Sequence, residues 1–180
     1  MKEILNNTGL QAQIKSLAGM LLHQHPGLSD VVFVGIQQGG VVLADEIAGE
    51  LQKQFPGQPV LYGKLDITFY RDDIRNKILA PDTMHLPFSI ENKIVILIDD
   101  VLFTGRTIKA ALDVLLDYGR PAKVELCVLV DRKEHRQFPI QADYAGISFQ
   151  TDRDDKVKLV KDGNGDKHVV LISKEEQAAN

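Results

Sequence analysis

Cysteine occurs once in these 180 residues, and no long apolar run occurs at all. Cys127 stands within Val124-Glu125-Leu126-Cys127-Val128-Leu129-Val130, so no disulfide can form inside the chain and a buried, reduced thiol is expected. The longest apolar runs, around Val31–Val34 and Ile94–Ile98, fall far short of the roughly 20 residues that a membrane helix requires. The first residues, Met1 to Asn7, lack a signal peptide's apolar segment, so a soluble, cytoplasmic protein is expected. Positive charge is not in excess either. Lys and Arg total 21 against 25 Asp and Glu, a formal charge of −4, which excludes a global attraction to nucleic acid or anionic membranes. Gly-x-Ser-x-Gly, Walker and Rossmann glycine motifs are absent, removing three common catalytic frameworks.

What remains has the size and balance of one globular domain, with 44% hydrophobic and 26% charged residues. Leu10, Ile14, Leu17 and Leu21 recur at helical spacing, with Thr8 as the expected cap and Pro26-Gly27 beyond the end. Val31 to Ile36 is β-branched and apolar on every side, the pattern of a parallel strand covered on both faces. The tight loop Gln37-Gln38-Gly39-Gly40 follows, then a helix carrying Leu43, Ile47 and Leu51. Val60 to Phe69 reads as a half-exposed strand. Tyr70 to Pro87 is polar and lacks a clear period, so it is either a functional lid or a misassigned element. Ile94 to Ile98 is the clearest buried strand, followed by a turn, a helix from Thr104 to Tyr118 stopped by Gly119, and a strand from Lys123 to Val130. Strand, helix and strand in this order imply an open, mostly parallel twisted α/β sheet flanked by helices. After Asp131 weaker strands are expected at Tyr144–Phe149, Val157–Val160 and His168–Ile172, then a frayed tail from Lys174. No linker interrupts the chain, so residues 1–180 are read as one domain.

The informative window runs from Val95 to Thr107, where a buried strand ends in Asp99-Asp100 and leads through Val101-Leu102-Phe103 into Thr104-Gly105-Arg106-Thr107. Ligands of open α/β sheets bind outside the carboxyl ends of the strands. Backbone amides of Phe103 to Thr107, two Thr hydroxyls and the positive end of a helix suit a phosphate. Asp99 and Asp100 suit hydroxyl groups or a divalent cation instead. An isolated Asp-Asp would merely cap a sheet; the ordered sequence of strand, acids, turn and helix points to a ribose 5-phosphate.

This window resembles the phosphoribosyl-pyrophosphate (PRPP) signature of the type I phosphoribosyltransferases. Along the chain, Leu65-Asp66-Ile67-Thr68-Phe69-Tyr70-Arg71-Asp72-Asp73, Gly119-Arg120-Pro121 and Val128-Leu129-Val130-Asp131-Arg132 extend the resemblance to the PyrR family. Those are pyrimidine-operon attenuation proteins that are also uracil phosphoribosyltransferases. The resemblance implies the type I fold, with a core over residues 28–131, a flexible lid over 70–87 and a small C-terminal hood over 131–172. It implies that Asp99 and Asp100 hold the ribose hydroxyls, directly or through Mg2+, and that Phe103, Thr104, Gly105, Arg106 and Thr107 hold the 5-phosphate. Gln37, Gln38, Gly39 and Gly40 would form the pyrophosphate loop. Arg71 or Arg75 of the lid would bring charge to the leaving group, and Val130, Asp131, Arg132 and Tyr144 would face the base.

Purine-specific relatives usually place an Asp where Phe103 stands and a Lys where Asp131 stands. Their absence suits a pyrimidine, so PRPP and uracil are the expected substrates, UMP and pyrophosphate the products. Two departures bear on this. Gln37-Gln38-Gly39 replaces the basic residue and Thr-Arg pair usual in the family's pyrophosphate loop, and each lost charged bond costs about 1.5–3 kcal/mol. Lys15, Ser16, Gly19, Gln141 and Ile147 stand where RNA-binding members carry a basic surface, which disfavours RNA. The alternatives are a nucleotide-binding regulator with little turnover and a transferase for another base. By resemblance the protein is a dimer or tetramer. His23, His25, His85, His135 and His168 are too scattered to suggest a metal site.

Overall fold

The computed structural model describes residues 1–67 and 84–179. Two sheets share its strands. The main sheet holds six, in the order β4-β3-β2-β5-β6-β7, with β2 Val31–Ile36, β3 Tyr62–Leu65, β4 Met84–His85, β5 Ile94–Leu102, β6 Lys123–Asp131 and β7 Tyr144–Ser148. Its pairings are parallel except β3 with β4. All six residues of β2 are buried, as continuous apolar strands covered on both faces require.

Helices α1 (Asn7–Gln24) and α2 (Gly39–Gln54) cover one face, where Leu10, Ile14, Leu43 and Ile47 pack against Phe33, Ile96 and Ile98. Helix α3 (Arg106–Tyr118) covers the other, setting Ile108, Ala111 and Leu115 against Val32, Val34 and Leu97. Its apolar residues recur every three to four positions, which gives it a single buried stripe. It stops at Gly119, as expected. The cap of α1 is Asn6 rather than Thr8, because Asn6 Oδ1 accepts the Gly9 N–H at 2.8 Å.

The second sheet is antiparallel, in the order β1-β9-β8, formed by β1 Lys2–Leu5, β8 Lys156–Lys161 and β9 Lys167–Ile172. Three expectations change here. The amino terminus is a strand of the small subregion. Tyr144–Ser148 belongs to the main sheet, paired with β6. The tail is a short helix, α4 (Lys174–Ala178), held by a capping box in which Ser173 Oγ accepts the Glu176 N–H and Glu176 reaches back to the Ser173 N–H. The end of the expected lid, Met84–His85, pairs with Leu65 and Lys64. Thr68, Phe69, Arg71 and Arg75 lie outside the described residues.

Candidate functional site

Strand β5 continues through both acids to Leu102, so Asp99 and Asp100 sit within its last turnless stretch and alternate across the sheet. Asp99 is buried and Asp100 half-buried. Each braces the next amide: Asp99 Oδ1 accepts the Asp100 N–H at 3.0 Å, and Asp100 Oδ1 accepts the Val101 N–H at 3.0 Å. The two carboxylates are thereby held at the strand end.

The loop after β5 turns into α3 through Gly105, whose φ of 89° is left-handed, a conformation glycine adopts without steric cost. The N-cap Gly105 has no side chain to cap this helix, and the Arg106 N–H donates to Thr104 Oγ1 at 3.3 Å. First-turn amides left without a side-chain cap present the partial positive charge that binds anions. The carbonyls of the same loop are occupied from behind. Arg136 Nη1 donates to the Phe103 carbonyl, and Gln137 N–H donates to the Thr104 carbonyl at 2.8 Å. Arg106 Nε donates to Gln137 Oε1 at 2.7 Å and its guanidinium lies 5.6 Å from the Phe138 ring centroid.

A cavity of about 370 Å³ lies against this loop, between Asp99 and Val101 of β5, residues 103–108, and residues 153–158 of the small subregion. Asp99, the helix terminus and the hood therefore meet around one space, while Asp100, on the alternate face of β5, lies beside Gly39. The Gln37-Gln38-Gly39-Gly40 loop approaches from the α2 side, with a cis Gln37–Gln38 peptide and both glutamine side chains exposed. A Cβ on Gly40 would stand 2.4 Å from the Ile98 carbonyl oxygen, so only glycine lets α2 start so close to β5.

The base-facing group expected from resemblance is rearranged. Val130 is fully buried in the core of the α1 and α2 face. Asp131 Oδ1 accepts from Arg136 Nη2 at 2.6 Å, an internal pair that also braces the loop after β5 through the Phe103 carbonyl. Arg132, 2% exposed, is enclosed by protein, and burial holds its guanidinium below the usual range despite the nearby Asp155 and Glu134. Tyr144 does not approach the cavity. Its hydroxyl donates to Glu125 Oε2 at 2.6 Å, near the opposite end of β6 from Asp131. Burial, then the bond to Glu125, pushes Tyr144 up past the ordinary range.

The stretch 153–158 that closes the cavity lies within the hood expected over 131–172, but none of its residues was singled out in sequence, nor was Arg136. The first has no local motif. The second was visible only as one member of a charged run, Asp131-Arg132-Lys133-Glu134-His135-Arg136.

A mostly parallel sheet whose central strand ends in paired acids and turns through a glycine into a helix beside a hooded cavity is the architecture of the phosphoribosyltransferase class. The chain belongs to the phosphoribosyl transferase domain family, whose sequence model matches residues 1–161, and within it to the PyrR proteins. It is 44% identical over 173 residues to a bifunctional protein PyrR of Geobacter sp. (strain M21), covering 95% of this chain and 97% of that one. Against the bifunctional protein PyrR of Ligilactobacillus salivarius the identity is 45% over 165 residues, covering 89% and 92%. A hypoxanthine phosphoribosyl transferase of Trypanosoma cruzi shares the fold with a TM-score of 0.72 at 19% identity, covering 99% of this chain and 94% of that one. One from Staphylococcus aureus has a TM-score of 0.67 at 24% identity, covering 86% and 79%.

Proposed function

We propose that the protein transfers the ribose 5-phosphate of PRPP to uracil, giving UMP and pyrophosphate. The observation that carries this reading is the cavity bounded by Asp99, the glycine-started α3 and residues 153–158. In that space the amides of Phe103 to Thr107 bind the 5-phosphate and Asp99 binds a ribose hydroxyl, with Asp100 meeting the sugar from the Gly39 side. Phe103 supplies an apolar wall for a pyrimidine. The reaction forms a bond between ribose C1 and a ring nitrogen of uracil, breaks the bond from C1 to the pyrophosphate oxygen, and passes the proton of that nitrogen to the departing pyrophosphate or to water. The ribose gains oxocarbenium character, which the paired carboxylates stabilise electrostatically.

The donor set fits Mg2+ bound together with substrate. Among the described residues no three His, Cys, Asp or Glu side chains form a closed cage, and Mg2+ characteristically takes one or two carboxylates plus phosphate oxygens and waters. Asp99 and Asp100 would hold it, directly or through water, and it would neutralise charge on the departing pyrophosphate. Arg71, in the segment outside the described residues, is assigned the same task by family resemblance.

A second reading is favoured by one feature. Gln37 and Gln38 carry no charge toward a pyrophosphate, which suits a protein that binds PRPP or nucleotide and regulates pyrimidine genes through RNA with little turnover. The relatives' name, bifunctional, accommodates both. Incubation with PRPP, Mg2+ and each nucleobase in turn, with pyrophosphate release as the signal, separates them. Release with uracil alone supports the first reading; release with another base changes the substrate; none with any base leaves the regulator. Light scattering of the same sample tests the dimer or tetramer implied by resemblance.

A further inference from the structure

Every nitrogen of the Arg132 guanidinium donates to a protein oxygen, and the residue is 2% exposed. Nε donates to Thr151 Oγ1 at 2.7 Å, Nη1 to the Asp155 carbonyl at 3.0 Å and Nη2 to the Asp152 carbonyl at 2.9 Å. The guanidinium carbon lies 3.7 Å from the centroid of the Phe103 ring, within the range of a cation–π stack. The edge of Phe103 is met by His135, with centroids 5.7 Å apart at 74°. Thr151 is also held from the other side, its N–H donating to Glu134 Oε1 at 2.5 Å.

These contacts join two walls of the same cavity. Phe103 belongs to the loop after β5, and residues 151–155 lead into β8. They are brought together by one planar group at the end of β6. A guanidinium delivers several donors in a fixed plane with a stacking face normal to them, so the ring and the three acceptors take their relative positions from the same rigid object. The spacing between the Phe103 wall and the hood is therefore set by Arg132.

We infer that Arg132 is a positioning residue for the base: it fixes the gap in which the pyrimidine is held, without itself binding the 5-phosphate. The inference rests on the reading of the cavity as the nucleotide site. It goes beyond that reading by separating the base end, which depends on Arg132, from the phosphate end, whose carbonyls are braced by Arg136 and Gln137 instead.

Equilibrium binding reads this without turnover. UMP and ribose 5-phosphate share the phosphate and sugar and differ in the base, so the ratio of their Kd values reports the base end alone. In Arg132→Gln and Arg132→Lys the Kd for UMP should rise by about tenfold, as misplacement of a binding wall does, while that for ribose 5-phosphate stays within about twofold. Lysine should fail to rescue, because it keeps the charge and loses the plane. Thr151→Val, which removes one acceptor and leaves Arg132 in place, should shift the same ratio in the same direction by less. It also gives the answer if the Arg132 variants do not fold. Equal weakening of both ligands, no change in either, rescue by lysine, or wild-type protein that binds neither ligand would each overturn the inference. Absence of pyrophosphate release from wild-type protein with an intact shift in the Kd ratio would remove the transferase reading alone.

Discussion

A Cβ built on Gly39 would stand 2.1 Å from Asp100 Oδ2. The Gln37–Gly40 loop and Asp100 are thus in direct contact, and the space beside the Asp100 carboxylate exists because residue 39 has no side chain. Gly39→Ala is expected to displace a carboxylate, which can rotate, at little cost in stability. PRPP affinity should fall by about tenfold or more, measured by calorimetry. Gly40→Ala meets the Ile98 carbonyl and the Asp99 Cα instead. Backbone cannot rotate away, so that variant should lose about 1–3 kcal/mol in a urea titration.

The acids themselves are tested by Asp99→Asn and Asp100→Asn, which keep shape and remove charge. Each should lower pyrophosphate release by at least about a hundredfold, the scale of losing one charge-stabilising group. Unfolding midpoints should barely move for Asp100→Asn, whose side chain is half-buried. Activity equal to wild type in both variants would remove the acid pair from the mechanism.

At the far end of the sheet, Glu125 controls an acid-side stability change. Burial alone would raise its carboxyl, yet the bonds from Lys123 and Tyr144 and the contact with His25 outweigh it and bring the group down to about 2. Its ordinary value is 4.5, so the ionised form is the one folding favours. The stabilisation is fully present above about pH 4.5 and is lost as pH falls through about 2, amounting to about 3 kcal/mol. Urea midpoints between pH 7 and pH 2 should show this loss, and Glu125→Gln should flatten it.

Tyr144→Phe removes one donor to Glu125 and nothing from the cavity. It should cost about 1–2 kcal/mol of stability and leave the KM for uracil unchanged. A raised KM with unchanged stability would return Tyr144 to the base.

The thiol of Cys127 is fully buried, and burial pushes it up to about 12. A thiol reagent at neutral pH should therefore label it only at the rate of unfolding, since the thiolate is the reactive form. Rapid labelling of folded protein would contradict the packing of β6.

The elements around the window Val95–Thr107 were legible in sequence because their signals are local. A buried strand, a carboxylate pair, a glycine turn and an amphipathic helix each declare themselves within a few residues. The capping box at Ser173 and Glu176 is local too, and was readable from spacing even though the tail looked frayed. Other features depended on partners distant in the chain. Lys2–Leu5 is a strand because Val169 to Leu171 pairs with it, and nothing in four residues announces that. Tyr144–Ser148 joins the main sheet through its register with Cys127 to Asp131, which alternation alone cannot specify.

The amino-acid order by itself determined the parallel core and the succession of strand, acids, glycine turn and helix over Val95–Thr107, since periodicity and turn chemistry act over one or two turns of chain. Only the tertiary structure decided what the buried ions meet. Arg132 finds Phe103 and Thr151, and Tyr144 finds Glu125, because a charge or hydroxyl removed from water takes whichever partner the topology brings within hydrogen-bond reach. That reach is set by packing, not by sequence neighbourhood.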